Sequence, residues 1–137
     1  MRVVAARAAP SSQPDHARVL PAAHRMRRPA DFEQAVRHGA RCGRDSLVVH
    51  VAGDRSSEGR AVVGFVVSKA VGNAVVRNRV KRRLRAVVSQ RIDRLPQGGR
   101  LVVRALPKSA GMDSTVLARD FDSALAGARR RLERQRG

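Results

Sequence analysis

Tryptophan and tyrosine are absent, phenylalanine occurs three times, and Cys42 is the only cysteine in 137 residues. The core must therefore be aliphatic. A lone thiol excludes an intrachain disulfide and fits a reducing compartment. Acidic residues are also scarce, 11 against 29 basic ones, which leaves a formal net charge of +18. No apolar run approaches the roughly 18 residues of a membrane span. Near the N-terminus, Arg7 interrupts the stretch Val3 to Ala6 too early for a secretory signal. His38, Cys42 and His50 lack a fourth partner and match no zinc spacing, so no protein-borne metal site is expected.

Catalytic constellations are missing too. A protein nuclease needs clustered carboxylates for metal ions, or a His or Lys acid/base pair. The acids here are scattered, and Asp120 and Asp122, two positions apart on a helix, point to different faces. There is no Ser-His-Asp arrangement, P-loop or GxGxxG. If this chain serves an enzyme, the reacting groups are expected to come from elsewhere.

What is abundant is arginine, 26 residues against three lysines. Guanidinium groups bind phosphate through paired hydrogen bonds and stack on bases, although a GC-rich coding bias would produce the same skew. The densest cluster is Lys69 to Arg85, with seven basic residues and no acidic one. At about 100° per residue, Val76, Val80, Leu84, Val87 and Val88 form one apolar face about 120° wide, with Asn78, Arg82 and Arg85 opposite. Arg77, Lys81 and Arg85 repeat one sign at i to i+4, which weakens an isolated helix slightly. A polyanionic partner would remove that cost.

Along the chain, residues 1–19 read as a disordered basic extension, and one domain spans 20–137. Asp31 to His38 is expected as a short helix, with Phe32, Ala35 and Val36 on one face and Gly39 as its stop. Arg44 to Val51 alternates as a strand, and Gly53 to Gly59 is a polar turn. The almost continuously apolar run Ala61 to Val67 suggests a strand at the sheet centre. Asn73 is a plausible N-cap for the basic helix, which should reach about Arg91. Pro96, Gly98 and Gly99 mark a loop before a strand from Leu101 to Leu106. A last helix from Asp113 or Ser114 buries Leu117, Phe121, Leu125, Ala128 and Leu132. This order gives an α+β sandwich, helices over a sheet.

The run Gly64-Phe65-Val66-Val67-Ser68-Lys69, followed by Gly72-Asn73-Ala74-Val75-Val76-Arg77-Asn78-Arg79-Val80-Lys81-Arg82-Arg83-Leu84-Arg85, resembles the signature of the bacterial ribonuclease P protein component, with its Arg-Asn-Arg motif. Leu20 to Phe32, with Arg25, Arg27 and Arg28, is similar to the start of that family. The resemblance covers about residues 20 to 134. It implies a single αβββαβα domain with a four-stranded sheet, like the second domain of a small-subunit ribosomal protein. An extra strand would lie near Ala40 to Arg44, and the crossover between parallel strands would be left-handed, against the general rule.

The resemblance also implies a function. The chain would be the non-catalytic protein subunit of a cytoplasmic ribozyme endonuclease that removes the 5′ leader from precursor tRNA. Its partners would be the catalytic RNA and the leader, with no membrane and no protein partner required, and Mg²⁺ would be bound mainly by the RNA subunit and the RNA–protein interface. Lys69, Asn73, Arg77, Asn78, Arg79, Lys81, Arg82 and Arg85 would contact RNA. Phe32, Val36, Leu47, His50 and Arg104 would line a leader cleft that has fewer aromatic rings than its relatives. From charge alone, a ribosomal or nucleoid-type nucleic-acid-binding protein fits equally well.

Overall fold

The computed structural model describes Leu20 and residues 24–53, 61–95 and 98–136. The expected N-terminal extension, most of the Gly53 to Gly59 turn, and Pro96 lie outside them. Pro29, whose fixed φ suits a first helical position, starts helix α1 (Pro29–Glu33) two residues earlier than expected. The helix continues as a wider π-helical turn, Gln34–His38, and ends at Gly39 in an extended conformation. A Cβ on Gly39 would collide with the carbonyl oxygens of Val51 and Ala35, so the stop also permits close backbone approach. The residues expected to share a face are not all turned inward. Ala35 is fully buried, whereas Val36 is 40% exposed.

Strands β1 (Ala40–Gly43), β2 (Leu47–Ala52), β3 (Val62–Val66) and β4 (Arg100–Ala105) form one sheet in the order β1-β2-β4-β3. β1 pairs with β2 and β2 with β4 antiparallel, whereas β3 and β4 are parallel and joined through helix α2 (Ala74–Ser89). Helix α3 (Ser114–Arg136) completes the αβββαβα order.

β3 is an edge strand, not the expected centre. Its apolar run has another cause, because both faces are covered. Val63 and Phe65 meet the main core, and Val62 packs in a second cluster beneath α1. Its outer edge is also occupied, since Met26 N donates to Val63 O at 2.8 Å.

The main core lies between one sheet face and the α2–α3 layer. Leu47, Val49 and Val51 of β2, with Leu101 and Val103 of β4, meet Val80 and Leu84 of α2 and Leu117 and Phe121 of α3, all fully buried. On the opposite face α1 covers a smaller cluster of Met26, Ala35, Ala52 and Val102, with Phe32 packed against it. That face is only partly roofed, which leaves one end of the sheet open beside α1.

Candidate nucleic-acid interface

Helix α2 begins as the sequence suggests. Asn73 is extended, and its Oδ1 accepts the Val76 N–H at 3.0 Å, satisfying one of the donors that a helix start leaves free. Ahead of it, Val71 is buried and its N–H donates to Ser68 O at 3.1 Å, so the turn that carries exposed Lys69 is fixed against the core. The apolar face of α2 buries Val80, Leu84, Val87 and Val88, and Val76 is packed at the edge. The helix stops at Ser89 rather than Arg91, whose side chain instead bonds Asp122 and Val87 O.

Burial of that face decides where the cations go. Asn78, Arg79 and Arg82 are exposed, whereas Arg77, Lys81 and Arg85 are half-buried along the flanks. None of the five cations Arg77, Arg79, Lys81, Arg82 and Arg85 forms an ion pair among the described residues. The Arg77 Nε is buried without a hydrogen-bond acceptor among them. A buried donor left unmatched costs about 1–3 kcal/mol, which an incoming phosphate oxygen would offset.

Many other arginines hold the fold together. Arg91 donates to Asp122 at 2.6 Å, Arg100 to Asp31 at 2.6 Å, and Arg44 to Ser123 Oγ at 2.8 Å. Arg83 Nη1 donates to Met112 O at 2.9 Å, and Arg129 Nη1 to Arg94 O at 2.8 Å. The arginine excess is thus divided between packing and display, which composition cannot reveal. These contacts also occupy carboxylates, since Asp31 and Asp122 face arginines and Asp120 accepts from Ser46.

The second surface is the uncovered end of the sheet beside α1. Register places Gly43, Val48, Arg104 and Val66 in one row, and Arg41, His50, Val102 and Gly64 in the next. Directly paired residues share a face. Of the expected cleft residues, Phe32 lies half-buried against the small cluster, Val36 is exposed on the neighbouring turn, and Arg104 is exposed on the sheet. Leu47 does not belong here. It faces the α2–α3 core at 0% exposure, because the period of two along β2 puts it opposite His50. Val48 is the strand residue on the cleft side.

His50 is 2% exposed, and neither ring nitrogen has a partner among the described residues. Burial lowers its pKa below the ordinary 6.5, and the charges of Arg104 and Arg41 lower it further. The ring is therefore neutral at pH 7, one nitrogen a donor and the other an acceptor. Sequence reasoning does not reach Arg41. Its only signal is the alternation of a four-residue strand, too short to set its facing.

The family model for ribonuclease P matches residues 20–129. A ribonuclease P protein component of a Nocardioides species is 51% identical over 108 residues, covering 78% of this chain and 92% of that protein. Its counterpart in Streptomyces bikiniensis is 53% identical over 114 residues, covering 78% and 93%. Among solved structures, the Staphylococcus aureus RNase P protein superimposes with a TM-score of 0.68 at 24% identity, covering 77% of this chain and 95% of that one. The RNase P protein from Thermotoga maritima gives 0.65 at 23% identity, covering 74% and 94%. With the signature helix, the fold and these relatives in agreement, the chain belongs to the ribonuclease P protein family.

Proposed function

We propose that this chain acts as the protein subunit of a ribonuclease P ribonucleoprotein in the cytoplasm. It binds a catalytic RNA and the 5′ leader of precursor tRNA, and the RNA performs the phosphodiester hydrolysis. The observation that carries this reading is the set of α2 cations Arg77, Arg79, Lys81, Arg82 and Arg85, none of them in an ion pair among the described residues, beside Lys69, Asn73 and Asn78 on a helix pinned to the core. In this reading these residues neutralise RNA phosphates. Phe32, Val36, His50 and Arg104, joined by Val48 and Arg41, receive the leader.

Magnesium prefers near-octahedral oxygen coordination. Among the described residues no group of three or more His, Cys, Asp or Glu side chains converges, so this chain offers no cage for it there. We assign Mg²⁺ mainly to the RNA subunit and to its interface with the protein. The chain's own contribution is positive charge at the RNA surface, which lowers the repulsion between assembled phosphates. No further protein partner is required.

The test is reconstitution. Purified chain, ribonuclease P RNA and a precursor tRNA are combined at limiting Mg²⁺, with each component also assayed alone. The chain should stimulate 5′ leader removal by the RNA and cleave nothing by itself. Cleavage by the protein alone, or no stimulation, overturns the proposal.

A further inference from the structure

The Arg-Asn-Arg motif does not present one surface. Viewed down α2 at about 100° per residue, Arg77, Lys81 and Arg85 lie on one flank of the buried face and Arg79 and Arg83 on the other, with Arg82 on the exposed side between them. The buried face lies between the flanks, and a helix with its side chains is about 10–12 Å across. A backbone strand following the first flank leaves the second uncovered.

The second flank opens onto a groove between α2 and α3 of about 1310 Å³. Arg82, Arg83 and Arg91 line it on the α2 side, and Thr115, Arg119 and Asp122 on the α3 side. Asp122 is committed to Arg91 at 2.6 Å and Arg94 at 3.6 Å, and Arg83 donates to Met112 O. Arg82 and Arg119 remain, exposed on opposite walls and without a partner among the described residues. Ala86, Val87 and Ala118 supply an apolar lining. The volume exceeds the 300–1,000 Å³ typical of a small-molecule pocket. Size and sign together favour a polymeric anion.

Resting on the reading that the partner is a structured RNA, we propose that the α2–α3 groove is a second docking surface. It takes a phosphate-backbone segment of the RNA subunit distinct from the one on the Arg77–Lys81–Arg85 flank. Arg82 and Arg119 grip that segment from opposite walls, so the helix stands as a ridge between two RNA segments.

The experiment is hydroxyl-radical footprinting of the ribonuclease P RNA bound to full-length chain, comparing wild type with Arg119→Glu and Lys81→Glu. Arg119→Ala serves as a milder variant, and circular dichroism checks folding. Arg119→Glu should expose one set of nucleotides while the Lys81-dependent set stays protected. The slope of log K against log salt should become shallower by about 0.7–0.9 for each phosphate that the variant no longer neutralises. An unchanged footprint and slope in both Arg119 variants overturns the proposal, as does deprotection of the same nucleotides in Arg119→Glu and Lys81→Glu. Arg119-dependent protection confined to precursor tRNA, or crosslinking of the groove to another protein instead of RNA, also overturns it. A wild-type chain that leaves no footprint at all defeats instead the ribonuclease P reading on which the proposal stands.

Discussion

Arg100 Nε donates to Asp31 Oδ1 at 2.6 Å, tying the first strand residue of β4 to α1 across the small cluster. The side chains are 24% and 19% exposed, so solvent screens the pair only partly. The contact fixes α1, and with it Phe32 and Val36, over the sheet. Asp31→Asn should cost about 1–3 kcal/mol in urea denaturation. Leader affinity, measured with precursor tRNAs of increasing leader length, should fall more than affinity for the RNA subunit. Equal losses in both would separate α1 from the leader cleft.

Ser46 links β2 to α3. Fully buried, it donates to Asp120 Oδ2 from Oγ at 2.6 Å and from its backbone N–H at 3.2 Å. Ser46→Ala removes one of these bonds, whereas Asp120→Ala strands both donors in the interior. The second should therefore destabilise more than the first, by roughly 1–3 kcal/mol against about 1. A double-mutant cycle read by thermal melting checks the coupling, and additive losses would show that the two groups act independently.

Much of this was legible in the sequence, for reasons specific to each element. The 3.6-residue period fixed the buried faces of α2 and α3, and Asn73 marked the start of α2 because a side-chain acceptor is needed there. Alternation already put Leu47 and His50 on opposite faces of β2, so placing both in one cleft conflicted with the strand's own geometry. What could not be read is long-range. The cover over the edge of β3 comes from Met26, 37 residues away, and the pairing of Arg91 with Asp122 spans 31 positions. Local pattern carries no record of which arginine finds an internal partner.

Gly64 lies under Phe32, where a Cβ would fall within 2.7 Å of the ring's Cε1 and 3.1 Å of Met26 Sδ. Gly64→Ala should push the ring toward solvent and cost about 1–3 kcal/mol, as overpacked sites do. Phe32→Leu, which removes the ring's far edge, should recover part of that loss in the double variant. Equal stability of Gly64→Ala and wild type in urea denaturation would place Phe32 elsewhere.

His50 should make the domain sensitive to acid. Its folded pKa lies below 6.5 through burial and the charges of Arg104 and Arg41, so the unfolded chain binds more protons as pH falls through 6.5. Stability is therefore complete above about 6.5 and declines below it, by at most about 1.4 kcal/mol per pH unit until the folded pKa is reached. His50→Gln keeps a polar side chain but cannot titrate, and should flatten this part of the profile. Parallel wild-type and variant profiles between pH 7.5 and 5 would remove His50 as the cause.

Arg79 and Arg82 are exposed on α2 and bond nothing among the described residues, so replacing either with alanine should leave the melting temperature nearly unchanged. Their loss should appear only with RNA present. Each variant should weaken assembly and raise the Mg²⁺ concentration needed for half-maximal leader removal, because a cation fixed by the helix and a mobile divalent ion neutralise the same phosphates. High Mg²⁺ should then restore the variants toward wild-type cleavage, which a misfolded protein would not permit. Arg83→Ala is the contrasting case, since its Nη1 holds Met112 O and its removal should lower stability before it lowers RNA affinity. Identical Mg²⁺ titrations for wild type, Arg79→Ala and Arg82→Ala would mean that the exposed cations of α2 do not face the catalytic RNA.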